Sequence, residues 1–263
     1  MIQTPVNKYI FTIVVLMGLL TASVANATIV KQAQMNSACN ACPTTFVDNF
    51  NTSALSSTSN NVLVAFISIQ STKTISNVKY FGTLMTFLNK FSTSGGTEDL
   101  YVYYLTNPTP SSIGNISVAQ SPVGRLTMSV IAYSGVNQVE PIASFANASS
   151  SNNTIISTTS TARTRRMLVA SAITSSTYNG FPTVDSPFTS LVNARINLGS
   201  YFYYYTTAQY LIPSNGTYTP TITFPGTFDH SAISLVMLNP STGPAKLNIV
   251  SGKLHTNKTL TIK

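Results

Sequence analysis

Tryptophan is absent from the 263 residues, cysteine and histidine occur twice each, and Asp and Glu together number six. Each scarcity narrows the chemistry. A Ser-His-Asp set needs a histidine oriented by a carboxylate, and the histidines are His230 and His255. Asp229 and His230 are chain neighbours entering a strand, where successive side chains point to opposite faces. A glycosidase needs two carboxylates across a cleft, and nothing but their presence recommends Glu98, Asp99, Asp185 or Asp229. Those acids and nearby carbonyls are the calcium ligands on offer, but no D-x-D-x-D spacing occurs. The expectation is a protein that is not an enzyme and uses no metal or cofactor.

Charge is thin as well. Only 8% of residues are Asp, Glu, Lys or Arg, against 43% hydrophobic, so solubility rests on hydroxyls, amides and any attached sugar. The net charge of +8 is dispersed, with Lys246, Lys253, Lys258 and Lys263 in the last stretch. Nucleic-acid binding calls for a dense basic stripe with interleaved aromatics, and this pattern is too dilute. With so few carboxylates to protonate, the chain is expected to be nearly indifferent to acid.

Long apolar runs are missing beyond the first residues. Lys8, the apolar stretch Ile10 to Leu20 and the small-x-small Ala25-Asn26-Ala27 have the layout of a secretory signal peptide. The run is shorter than the roughly 20 apolar residues of a membrane span. The expected organisation is a signal peptide over 1–27, a polar N-terminal arm with a CxxC over 28–60, a β-sandwich over 61–240 and a basic, strand-prone tail over 241–263.

What the chain does have is short apolar runs cut by Pro, Gly and Asn. No helical periodicity lasts three turns. Asn61 to Gln70 is apolar on both faces, as in a strand at the centre of a packed sheet. Val78 to Lys90 reads as a strand with a bulge at Gly82. Leu100 to Leu105, Asn115 to Ala119 and Leu126 to Tyr133 are three more, punctuated by Asn107-Pro108, Pro122-Val-Gly124 and Ser134-Gly135. Arg165 to Thr174, Ala194 to Leu198, Tyr201 to Leu211, Thr219 to Phe224 and Ser231 to Leu238 follow. Ala143 to Thr161 reads as a long surface excursion, and two strand-like pieces, Lys246 to Val250 and Thr259 to Ile262, lie in the tail. Many short strands with regular turn signals predict an all-β fold, a two-sheet antiparallel sandwich of jelly-roll type.

Tyr103, Leu105, Asn107 and Pro108, followed by Ser134, Gly135, Val136, Pro141 and Ile142, spell Y-x-L-x-N-P and S-G-V-x-x-x-x-P-I. This resembles jelly-roll, concanavalin-like modules of secreted and surface proteins. The family pattern usually has a Trp near the Tyr-rich strand and Asn or Asp before the second Pro; this chain has no Trp and carries Glu140. The resemblance implies a β-sandwich and no particular activity.

Three motifs remain. Cys39 and Cys42 form C-N-A-C, read as a local disulfide in an oxidising compartment, with pairing between subunits open. Asn51, Asn115, Asn147, Asn152, Asn215 and Asn257 head N-glycosylation triplets. Tyr101, Tyr103, Tyr203 and Tyr205 offer faces on which a sugar ring could stack, although tyrosine also serves as ordinary strand filler. The expected role is a secreted, glycosylated structural or adhesive cell-surface protein. Its expected partners are copies of itself, in an oligomer or filament joined by strand addition at a terminus, or cell-surface glycans if it is a lectin-like module.

Overall fold

The computed structural model describes residues 27–151, 153–197, 202–228 and 230–241. They are nearly all β, in antiparallel sheets, with a short 3-10 turn at Ser53–Ser57. The first half runs β1 (Val30–Cys42), β2 (Thr45–Asn49), β3 (Val62–Gln70), β4 (Thr74–Tyr80), β5 (Thr83–Leu84), β6 (Thr86–Ser92), β7 (Glu98–Thr106), β8 (Asn115–Ser121) and β9 (Gly124–Ser134). The second runs β10 (Ile142–Ser150), β11 (Asn153–Ser157), β12 (Ser160–Ala162), β13 (Met167–Ser176), β14 (Thr183–Val184), β15 (Thr189–Asn197), β16 (Phe202–Leu211), β17 (Gly216–Tyr218), β18 (Thr221–Phe228) and β19 (His230–Leu238).

Two five-stranded sheets, β1-β9-β3-β7-β6 and β10-β19-β13-β16-β15, hold the centre. They face each other across one apolar cluster, in which Val62, Val64 and Phe66 of β3 meet Met167, Val169 and Ile173 of β13. The other face of β3, Leu63, Ala65, Ile67 and Ile69, packs with Val78, Tyr80, Ile116 and Val118 of the outer sheet β2-β8-β4-β5. Likewise Leu168, Ala170 and Ala172 of β13 pack with Ile222 and Phe224 of the outer sheet β11-β18-β14. A strand with a sheet on either side must be apolar at every position. For that reason β3 reads VLVAFISIQ and is buried throughout except at Gln70.

The halves repeat one another. Leu63 pairs with Leu105 of β7 and Ala132 of β9; Leu168 pairs with Tyr210 of β16 and Met237 of β19, every number being 105 higher. Strand order is the same in the two sheets once β1, β9, β3, β7 and β6 are matched to β10, β19, β13, β16 and β15. The same shift relates details: Asn107 N–H donates to Asn61 C=O at 2.9 Å and Ile212 N–H to Arg166 C=O at 2.8 Å. Asn60 and Arg165, just before these strands, both take a left-handed backbone, φ 58° and 65°. The sequence trace is slight, Leu63-Val64-Ala65 recurring as Leu168-Val169-Ala170 and Ser71-Thr72 as Ser176-Thr177.

Contacts between the halves are reciprocal. Gln34 of β1 donates to the carbonyl of Leu191 in β15, the counterpart of β6, at 2.7 Å. Ser94, in the turn after β6, donates to the carbonyl of Ser150 in β10, the counterpart of β1, at 2.6 Å. Each surface meets its own equivalent, as in a two-fold dimer.

Several expectations change. Instead of one two-sheet body over 61–240, the described residues form two equivalent halves back to back. The polar arm over 28–60 supplies β1 and β2, paired with β9 and β8; its mixed sequence reflects edge strands exposed on one side. Gly82 marks a reversal rather than a bulge, since Phe81 and Gly82 both have positive φ and join β4 to β5. The excursion over 143–161 contains β10, β11 and β12. The signal peptide, the tail strands and the turn at Gly199-Ser200 lie outside the described residues.

Leu63 and Leu168 are fully buried in separate clusters. Leu63→Ala and Leu168→Ala should each cost about 2–5 kcal/mol in urea unfolding. The double variant should be additive to within about 0.5 kcal/mol, because the sites share no partners.

Candidate functional site

Strand β7 alternates between two environments. Leu100 and Val102 face the central cluster, while Tyr101 and Tyr103 face the outer sheet at its open edge. Beside them β6 shifts register between Phe87 and Asn89, which sets Phe87 opposite Tyr103. The Tyr101 and Tyr103 rings are stacked at 12° with centroids 6.5 Å apart, and Phe87 meets Tyr103 edge-on at 5.5 Å. With Ile75, Asn77 and Leu84 these rings line an open groove of about 560 Å³. Phe87 is 52% exposed and Leu84 60%, whereas Tyr101 and Tyr103 keep about 6% and 5% of their surface open.

The groove is flanked by a tethered charge. Lys90 Nζ lies 5.5 Å from the Tyr101 ring centre and 2.7 Å from Asp99 Oδ2. Asp99 also accepts a hydrogen bond from Ser92 Oγ at 2.6 Å. The Asp99 hydrogen bond raises the Lys90 pKa above its ordinary value, against the opposing effect of burial. Burial, then the neighbouring Tyr101, pushes the Tyr103 phenol up to about 12, so it remains a neutral hydrogen-bond donor through ordinary pH. Flat apolar faces, hydroxyls and the amide of Asn77 are the means by which proteins hold sugar rings or extended peptides.

Tyr203 and Tyr205 are not part of such a surface. On β16 the odd positions point at the facing central sheet, and Tyr203 is fully buried. Its hydroxyl hydrogen-bonds Ser68, and the Arg125 guanidinium lies over its ring, 4.4 Å from the centroid. The expectation of four stacking tyrosines is therefore corrected to two. Arg125 is in turn ion-paired with Glu98, both nearly inaccessible. Glu98 and Asp99, expected on an acidic turn, begin β7 and are buried. Scarcity of carboxylates does not by itself make such a chain acid-tolerant when Glu98 is paired inside the core.

The cysteines are free thiols, not the expected disulfide. Cys42 Sγ donates to the carbonyl of Cys39 at 3.2 Å. Burial first, then the Cys39 thiol, raises the Cys42 pKa far above the ordinary range, which disfavours the thiolate that disulfide formation requires. Of the glycosylation candidates, Asn51 and Asn215 are exposed, their side-chain oxygens accepting from Ser53 N–H and Thr164 N–H at 2.9 Å. Asn115 sits on β8 and Asn147 on β10, both half-buried, with Asn147 opposite Ser234 rather than in a loop. Asn152 and Asn257 lie outside the described residues, as do Asp229 and His255.

His230 is half-buried at the start of β19, its ring against Gly95, where a Cβ would collide with it. Among the described residues no three His, Cys, Asp or Glu side chains gather as a metal site, and no helix is long and apolar enough to cross a membrane. Phe87, Leu84 and Lys90 escaped the sequence reading, which treated Val78 to Lys90 as one strand and so missed the fold-back that opens the groove. Comparison with family models, curated proteins and solved structures finds no match to this chain.

Two measurements follow from this geometry. Glu98→Ala strands Arg125 as an unpaired buried cation and should cost about 3–5 kcal/mol in urea unfolding, while Glu98→Leu with Arg125→Met should stay nearer wild type. For the tyrosines, a folded pKa raised above the unfolded value of about 10 contributes stability that is present below pH 10. Tyr103 and Tyr203, both raised to about 12, should make the melting temperature fall as pH rises from about 10 towards 12, with part of the 295 nm tyrosinate signal appearing only on unfolding.

Proposed function

We propose that this chain is a secreted structural or adhesive surface protein that self-assembles by strand addition, built from two jelly-roll-type sandwiches. The observation that carries this reading is the pairing of the halves. Two copies of one strand arrangement already associate within the chain through reciprocal surfaces, which is how subunits of a repeating assembly meet. Each half also takes its outermost central strand, β1 or β10, from the segment that opens it, and pairs it with its last strand. Such ladders can form between chains as readily as within one, because backbone hydrogen bonds supply the affinity. The leader-like residues 1–27 and the exposed triplets at Asn51 and Asn215 support an extracellular, glycosylated setting.

A second reading, a carbohydrate-binding module, is favoured by the Tyr101–Tyr103–Phe87 groove. Light scattering on the purified chain over a concentration series, run beside a glycan array, separates the two. Mass that grows with concentration supports assembly. A monomer retained on glycans, with retention lost in Tyr101→Ala and Phe87→Ala, supports the lectin reading and overturns assembly.

A further inference from the structure

We propose that residues 247–262 are the opening strand pair of a third repeat, and that they act as a strand donor to β9 and β8 of a second copy of this chain, replacing that copy's own β1 and β2. The proposal rests on the assembly reading and specifies its contact. It starts from a regularity of the described residues. Each half opens with a strand that pairs with its last central strand, β1 with β9 and β10 with β19. The next strand then joins the outer sheet, β2 on β8 and β11 on β18.

The shift of 105 that relates the central strands also relates β10 and β11 to the end of the sequence. Ile142, Phe145 and Ile155 fall on Leu247, Val250 and Leu260, and the triplet Asn152-Asn-Thr154 falls on Asn257-Lys-Thr259. Apolar positions, polar positions and a whole triplet recur at one spacing, so 247–262 has the pattern of a repeat's first two strands. The 263 residues hold no third counterpart of β9 and β19. Among the strands present, the acceptor that matches is therefore β9 or β19.

Topology selects β9. β10 is tethered at both ends between the halves, whereas β1 and β2 precede the central strands and can leave by opening one connection, residues 50–61. Little holds β1 from the side: Cys42 is its one buried residue, and its ladder slips register at Lys31/Ala33 and Cys39/Cys42.

The register of the exchange follows from the pairs already formed. Ile142 lies opposite Leu238 and Phe145 opposite Val236. Moved by one repeat, Leu247 falls opposite Tyr133 and Val250 opposite Ile131, positions where β1 now places Lys31 and Gln34. Tyr133 and Ile131 belong to the central apolar cluster, so the donor sets two aliphatic side chains where the resident strand has an ammonium and an amide. Apolar contact of this kind favours the exchange.

The test uses the full chain, the chain ending at Ser241, and a synthetic peptide of residues 246–262. Added to the chain ending at Ser241, the peptide should bind, and hydrogen exchange should show β1 amides losing protection while β9 amides keep theirs. A Val250→Pro peptide, which lacks one ladder donor, should bind about tenfold more weakly or worse. In light scattering the full chain should associate and the chain ending at Ser241 should not. No peptide binding to the folded chain, or binding with β1 still protected, overturns the proposal. If the full chain and the chain ending at Ser241 associate equally, the strand donor falls and assembly stands. If the peptide displaces β1 while the full chain stays monomeric at every concentration, the donor contact stands and assembly falls.

Discussion

The stack depends on the apolar contact between the two five-stranded sheets. β3 and β13 lie at its centre, and each has a sheet on both sides, so neither can carry a polar face. Burying one large aliphatic side chain is worth about 1.5–3 kcal/mol, and these two strands supply such groups at nearly every position. Outer sheets, edge strands and the groove are arranged around that contact. Where polarity enters the interface it is paired: Tyr203 to Ser68, Tyr133 to Gln209 at 2.9 Å, and Arg125 to Glu98 beside the Tyr203 ring. A chain so poor in charge spends one of its few ion pairs in the interior, where losing either partner is most damaging.

Repetition explains why the interface closes without a special fit. Surfaces that meet their own equivalents need one solution used twice, and the reciprocal contacts of Gln34 with Leu191 and of Ser94 with Ser150 are that solution. Duplication also leaves the halves free to diverge away from it. The outer face of β7 carries Tyr101 and Tyr103, and one repeat on, β16 carries Thr206 and Ala208. The stacked aromatic groove belongs to the first half for that reason.

Much of the fold was legible because strands are local. Runs such as Val62 to Gln70 and Leu126 to Tyr133 were recognisable from apolar residues bounded by Pro, Gly and Asn. The N-terminal arm was not, since an edge strand such as β1 has no buried face to impose alternation. The repeat was also hidden: three consecutive identical residues, Leu63-Val64-Ala65 against Leu168-Val169-Ala170, are easily lost among β-formers, and equivalence shows in hydrogen-bond register rather than in side chains. For the site, Tyr101 and Tyr103 were found and Phe87 was not, because it reaches Tyr103 only after the chain reverses at Phe81 and Gly82.

By itself the amino-acid sequence determined that the chain is built of β-strands, where most of them begin and end, and that β3 is apolar on both sides. These follow from backbone sterics and side-chain alternation within a few residues. Tertiary structure alone decided that two equivalent halves stack back to back, that Tyr203 is sealed while Tyr101 borders an open groove, and that Glu98 is an interior ion-pair partner rather than a turn residue. The reason is physical: alternation says that a side chain leaves one face of a strand, but what that face meets is set by residues about a hundred positions away.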